Sequence, residues 1–505
     1  MRNLLFISGQ YFVALLLFCS CSKKLDILPE GSPTSTNFWQ TSTDAEKGVN
    51  AMYDQFDGEE FYGRGYMWYM NASDDMVTGR SNARAENVKN FSSATSTVSY
   101  LTDQWSMRYV VIKRANDVIR QLPRIGMDEA LRNRMIGEAY FLRALMYFQL
   151  TYNYANEEAG VPIVTEADSS NSNAVPRTAS ASVNYAMIET DFKTAASLLP
   201  YFDTYSTTDY GRPHKTAAWA YLSKVFLYEK KYTDAESYAD SVITSGKHAL
   251  LTNFADVFTV ENNWSKEYIW SAYSTSAGTG GWGSILPGVM LENKGWGLYN
   301  GWGYFMPTKE LYDAYEVGDT RREATILKPG DQFVFFGTSM SYSSTNSLSG
   351  YQFRKYMDPF KNSNPVGSFI SPNGDHPTTA LNPPLLRYAE VILIKAEAML
   401  QQGKNADIYI NMIRNRAGLP SVANADMAEL KEQRRCELAG EWADRHRDLV
   451  RWGDAQTVYA QPLHGYSGDE IWPARTFNPE VNDVWPVPQT EIESSGGVIK
   501  QNQGW

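Results

Sequence analysis

Five of the chain's 14 tryptophans, Trp264, Trp270, Trp282, Trp296 and Trp302, fall within 39 residues. Tyr268, Tyr273, Tyr299 and Tyr304 lie among them, with nine glycines between Gly278 and Gly303. A glycine-rich segment has no packing need for so many indoles, so several rings are expected at least partly in solvent. Flat exposed rings stack on the apolar faces of sugar rings, while neighbouring Asn, Asp and Arg side chains satisfy hydroxyls. Trp282, Trp296, Tyr299, Asn300 and Trp302 are therefore candidate ligand contacts, with anchoring of the loop an equal alternative. Trp264 and Trp270, in the part poorer in glycine, are expected to anchor. A second mixed surface gathers Tyr66, Trp68, Asn71, Asp74, Arg80, Asn82 and Arg84. From it Trp68, Asn82 and Arg84 join the ligand-binding candidates, although capping and core filling explain the same residues equally well.

Other chemistries find less support. Gly278, Gly280 and Gly283 satisfy G-x-G-x-x-G, but Ser284-Ile285-Leu286-Pro287-Gly288 follows as a turn where a dinucleotide site needs a helix N-terminus. The histidines, His214, His248, His376, His446 and His464, are scattered and form no H-E-x-x-H pair. No G-x-S-x-G elbow is present. Glu59-Glu60 and Asp74-Asp75 are adjacent carboxylates, and adjacent residues do not flank a glycosidic bond from two sides. The expectation is a binding protein without catalysis, metal centre or cofactor.

The elements that must position these rings read mostly as helix. Met135, Ala139, Leu142, Met146 and Leu150 trace one apolar helical face. Lys215–Tyr228, a turn through Lys230-Lys231-Tyr232, and Asp234–Thr244 read as a helix pair. Leu222, Ser223, Phe226 and Ala235 fall at the large, small, aromatic and alanine positions of a tetratricopeptide repeat. The same thirteen-residue offset separates Leu393 from Ala406, within Leu385–Gly418. Residues 103–153 and 180–200 are natural further members of such a stack. A helical scaffold is thus expected over about 40–250 and 384–453. A largely irregular, loop-rich region over about 254–380 and a tail over 454–505 complete the chain. Short β-like runs appear at Tyr268–Tyr273 and Phe333–Phe336.

The first twenty residues set the compartment. Arg2 and the apolar stretch Tyr11–Phe18 make an export signal too short to be a permanent span. Ser20 before Cys21 is the small residue that a lipoprotein signal peptidase needs, so residues 1–20 are expected to be removed and Cys21 to carry lipid. Cys436 then remains a solitary, buried thiol, and the fold must rest on core burial rather than disulfides. After removal of residues 1–20 the chain holds 45 basic against 57 acidic residues, which argues against nucleic acid or anionic lipid as partner.

Several ordered blocks resemble the SusD/RagB family of lipoproteins. They begin with Cys21-Ser-Lys-Lys-Leu25-Asp26-Ile-Leu-Pro29, Asn37-Phe38-Trp39-Gln40-Thr41 and Gly137-Glu138-Ala139-Tyr140-Phe141-Leu142-Arg143-Ala144. Arg387-Tyr388-Ala389-Glu390, Arg434-Arg435-x-Glu437-Leu438 and Asp448-Leu449-x-Arg451-Trp452-Gly453 follow. Trp485-Pro486-Val487-Pro488-Gln489 and Gln501-Asn502-Gln503-Gly504-Trp505 close the chain. One departure stands out: Glu437 to Asp448 is one residue longer than the family spacing, which is expected to disturb helix register there. The resemblance implies a single mostly α-helical domain over residues 21–505, with four tetratricopeptide-type helix pairs supporting a variable ligand face. It further implies an outer-membrane, surface-exposed, lipid-anchored protein. Such a protein captures oligosaccharides, or peptides in RagB-like members, and passes them to a SusC-like TonB-dependent transporter. Residues 254–380 match no shared block, so no ligand residue is carried over by position.

Overall fold

The computed structural model describes residues 38–57, 61–62, 64–79, 83–91, 95–168, 174–271, 302–335, 338–356, 368–370, 377–379 and 381–505. The chain enters through α1 (Ser42–Tyr53), which starts at a capping box. The Thr41 hydroxyl accepts from the Asp44 amide, and the Asp44 carboxylate accepts from the Thr41 amide at 2.9 Å. Two short helices, α2 (Arg64–Met70) and α3 (Ala83–Lys89), precede the long α4 (Ser99–Gln121) and α5 (Glu129–Tyr154). Next come α6 (Ala181–Leu198), α7 (Lys215–Tyr228) and α8 (Tyr232–Thr244). After two short helices, α9 (Lys309–Asp313) and α10 (Thr320–Thr325), the stack resumes with α11 (Tyr388–Gln401), α12 (Asp407–Arg416) and α13 (Met427–Leu438). It ends in α14 (Arg445–Trp452), α15 (Ala455–Tyr459) and α16 (Gln489–Ser494).

Each long helix packs on its neighbours in order: α4 on α5, α5 on α6, α6 on α7, α7 on α8, and α8 on α11 across the intervening chain. The repeat positions explain why. Leu222, Ser223 and Ala235 are wholly buried, Phe226 nearly so, and Leu393 in α11 and Ala406 at the N-cap of α12 repeat the arrangement. Small residues at the crossing let two helix backbones approach, and large ones fill the layer beside it. The expected stripe on α5 is buried, but so are Phe141, Arg143, Leu145, Tyr147, Phe148 and Gln149 on its other faces. This helix is central, enclosed by α4 and α6, so a one-face amphipathic reading underestimates it.

Between α8 and α11 the described residues form short elements. Among them are β2 (Tyr268–Ser271), paired with β10 (Pro384–Arg387), and the hairpin of β5 (Gln332–Phe335) with β6 (Thr338–Ser341). The two β-like runs of the sequence thus contain strands, described through Ser271 and Phe335. A further pair, β1 (Met76–Thr78) with β3 (Phe305–Pro307), joins positions more than 200 residues apart. The C-terminal residues do not trail off as a tail. Trp485 is 1% exposed, and the Trp442 indole N–H donates to the Tyr62 carbonyl at 2.8 Å, so the late chain closes over the early helices. Trp270 is core, its indole bonded to the Gly211 carbonyl at 3.1 Å, and Trp264 packs on Phe202, Tyr210 and Tyr268. Both act as anchors. Cys436 is buried, and burial pushes its thiol up to about 12, far from the thiolate needed for reactivity.

Between Glu437 and Asp448 the chain leaves helix. Helix α13 stops at Leu438, Gly440 turns with φ +74°, and α14 restarts under an Asp444 cap. This connection has work of its own. Glu441 joins an eight-residue ionic cluster in which Arg321, Lys355, Arg387 and Arg416 balance Glu267, Asp319, Glu437 and Glu441. The cluster ties β2, β10, α10, α12 and α13 into one block.

Three buried histidines make folding sensitive to acid. His214 caps α7, its Nδ1 accepting from the Ala217 amide, and a Thr216 hydroxyl bridges His214 and His248 at 2.8 Å to each. Burial pushes His214 down to about 3 and His248 to about 4, and it holds His446 well below the usual imidazole range. Below about pH 6.5 the unfolded chain takes protons that the folded chain refuses, so these groups stabilise at neutral pH and less as pH falls. Buried Asp444, raised to about 6, and Glu229, raised to about 7, act in the opposite sense. The informative readout is therefore a difference. His214→Asn keeps a cap and removes one titration, so it should gain about 2 kcal/mol on wild type between pH 7 and pH 5. Urea unfolding at the two pH values measures this; a pH-independent difference contradicts it.

Candidate functional site

The β1–β3 pairing sets the stretch that ends at Gly79 beside the stretch that begins at Trp302. Its register sets Met76 opposite Pro307, Val77 opposite Met306 and Thr78 opposite Phe305. The ladder then continues, with the Gly79 amide donating to the Tyr304 carbonyl at 3.1 Å. Residue 79 must be glycine: a Cβ there would lie 2.4 Å from the Gly303 carbonyl oxygen. Gly79 and Trp302 therefore lie at the same end of one two-stranded ladder. Behind the pair, the Thr308 amide and hydroxyl bind the Asp75 and Asp74 carbonyls at 3.0 and 2.7 Å, fixing where the strands cross.

Aromatic rings step outward along this edge. Trp68 stacks on Tyr100 at 4.7 Å and meets Tyr304 edge-on at 5.5 Å; Tyr304 in turn meets Trp302 edge-on at 6.1 Å. Trp68 is 1% exposed, whereas Trp302 is half-buried. Trp302 and Tyr304, both half-buried, are thus the members of this series that reach the surface. Trp68 requires correction as a ligand contact: Tyr100, Tyr304 and Phe305 enclose its indole, and it forms the floor beneath the edge. Tyr66, Asn71 and Asp74 are buried as well, and serve the scaffold. Trp282, Trp296, Tyr299, Asn300, Asn82 and Cys21 lie outside the described residues, as does the side chain of Arg84, whose backbone belongs to α3.

The turn that launches β1 is held by cations that the sequence did not single out. Lys89, wholly buried, donates to the carbonyls of Asn71, Ser73 and Met76 at 2.9, 3.0 and 2.8 Å. Burial drives its ammonium well below the ordinary lysine range. Arg475, from the late chain, binds the carbonyls of Ala72, Ser73 and Lys89. Asp74 and Asp75 are gripped by Arg435 and Arg445, with Arg435 Nε donating to Asp75 at 2.7 Å and Arg445 Nε to Asp74 at 3.1 Å. Burial raises the Asp74 carboxyl, but these guanidiniums outweigh it and hold the group well below the usual range. Backbone carbonyls as acceptors leave no motif, so neither Lys89 nor Arg475 was legible beforehand. Such an arrangement can hold a ligand: it offers a fixed launch point and a series of rings that runs from the buried Trp68 to the half-buried Tyr304 and Trp302.

Among the described residues no group of three or more His, Cys, Asp or Glu side chains is placed to hold a metal ion. No described helix is long and apolar enough to cross a membrane. The fold and site define a helical-repeat binding body. Comparison with known proteins gives its kinship: the SusD family model matches residues 266–505, and a model described as starch-binding associating with outer membrane matches residues 30–227. The chain belongs to the SusD/RagB family. It is 25% identical to SusD-like protein P2 of Formosa agariphila, covering 98% of this chain and 99% of that one. A crystal structure of a SusD-like protein from Bacteroides fragilis superposes with a TM-score of 0.79 at 26% identity, over 94% of this chain and 99% of that one. A laminarin-binding SusD-like protein gives a TM-score of 0.75 at 28% identity, over 92% of this chain and all of the other.

Proposed function

We propose that the protein is a surface glycan-binding lipoprotein that captures oligosaccharides and hands them to a SusC-like TonB-dependent transporter in the outer membrane. The observation that carries this reading is the ring series from Trp68 through Tyr304 to Trp302, beside the β1–β3 pair. A partly exposed indole on a rigid floor offers a sugar face a stacking partner at little ordering cost. Family membership supports it, since a relative with this fold is described as binding laminarin. Lipid on Cys21, with the polar leader after it, would keep the body at the membrane without fixing its orientation. Capture and release then proceed by shifting populations, with no bond broken.

A RagB-like, peptide-capturing lid would share the fold and the transporter but rely on backbone hydrogen bonds more than on flat rings. Protein isolated from outer membranes under mild conditions separates the two by mass spectrometry of the material it releases. Oligosaccharides are expected; oligopeptides alone would overturn the glycan reading.

A further inference from the structure

A cavity of about 170 Å³ opens on the helical scaffold where the α7–α8 turn meets the end of α11 and the α13 and α14 helices. It shares no element with the β1–β3 edge. Tyr228, Lys230, Tyr232, Gln401, Lys431 and Trp452 line it, with Glu397 and Arg451 in its wall. The wall is fully committed. Arg451 is bound to Glu397 through two nitrogens and to Asp448 through Nε at 2.9 Å, and the Trp452 indole N–H donates to Glu397 at 2.7 Å. Lys431 is bound to Asp454 at 2.6 Å.

What remains open is a set of donors. No described residue hydrogen-bonds to the hydroxyls of Tyr228 or Tyr232, or pairs with the Lys230 ammonium. Burial and the neighbouring Glu397 carboxylate raise the Tyr232 hydroxyl, which keeps it a neutral donor. Lys230 also carries a backbone cost. It sits at φ +61° in the turn that closes α7, its amide bonded to Leu227 O and the next amide to Phe226 O. The turn that closes α11 makes the same two bonds, from Gly403 to Leu400 O and from Lys404 to Met399 O, and uses glycine at φ +71°. Where one repeat relaxes this position with glycine, the other keeps a strained lysine whose ammonium meets no described carboxylate. Strain held at such a position points to a use for the side chain.

We propose that this cavity is a binding site for a carboxylate, filled by an acidic side chain of a partner polypeptide. Lys230 supplies the charge, and the Tyr228 and Tyr232 hydroxyls complete a charge-assisted set of donors. An acidic sugar fits less well: Arg451 and Lys431 sit over the Trp452 ring at 4.6 and 5.3 Å from its centroid and compete with a pyranose for the indole. The site does not depend on what the β1–β3 edge binds.

Saturation-transfer NMR on the full-length protein tests it with three probes: N-acetyl-glutamate N-methylamide, its glutamine counterpart and glucuronate. Transfer to the glutamate probe is expected, with at least tenfold weaker apparent affinity for the glutamine probe. Lys230→Gly should lose the glutamate probe at least tenfold, Tyr232→Phe should weaken it, and Lys230→Gly should melt no lower than wild type because glycine relieves the turn. Three results would overturn the proposal: equal binding of the glutamine probe, undiminished binding by Lys230→Gly, or transfer to glucuronate with none to the glutamate probe.

Discussion

Replacing Glu437 with alanine is expected to remove about 3–5 kcal/mol of folding stability, the cost of breaking a buried ion pair and stranding its partners. The side chain is wholly buried. One carboxylate oxygen accepts from Arg387 at 2.5 Å and from Arg416, and the other faces Arg321 at 3.3 Å. Despite burial, three guanidiniums hold this carboxyl well below its usual range, so it stays ionised far into acid. Its removal turns a balanced cluster into four cations against three anions at a junction of five elements. The change also acts at a distance, because β10 leads into α11 from this block. Urea unfolding followed by far-UV circular dichroism measures the loss. Glu432→Ala, on the exposed side of the same helix, should change stability by less than about 0.5 kcal/mol. A loss below about 1 kcal/mol for Glu437→Ala would show that the cluster is not what joins these elements.

Trp302→Ala should weaken glycan binding by about 1–3 kcal/mol, roughly tenfold to a hundredfold, with the fold retained. The fold survives because the floor remains: Trp68, Tyr100 and Phe305 pack on one another without the outer indole. Affinity falls because the exposed end of the ring series is gone. Isothermal titration with the glycan that binds wild type reads the change, and unaltered circular dichroism separates it from unfolding. Trp68→Phe serves as the contrast, since a floor residue should lower stability before it lowers affinity. Undiminished affinity in Trp302→Ala would place the ligand surface away from the β1–β3 edge.

Much of the scaffold was legible because repeat helices impose periodic demands. Leu222, Ser223, Phe226 and Ala235 announce a close helix crossing through their sizes, and Leu393 with Ala406 repeats it. The ionic cluster was not legible, since Glu267 and Arg387 meet across 120 residues with no spacing rule to connect them. The site was read in halves. Trp302 stood out by composition, but its place beside the end of β1 depends on Gly79 reaching Tyr304, a backbone pairing that hydropathy does not encode. Trp68 misled for a related reason: an aromatic beside Asn and Asp looks like a platform until a distant strand supplies Tyr304 and Phe305 to cover it. Lys89 and Arg475 were silent because they recognise carbonyls, which every residue has.

Affinity electrophoresis of the purified protein through gels containing a panel of plant, algal and microbial polysaccharides tests the central claim most directly. Retardation by at least one polysaccharide, relieved in Trp302→Ala, is the predicted result. Unretarded migration of folded wild-type protein through every gel of a broad panel would contradict it.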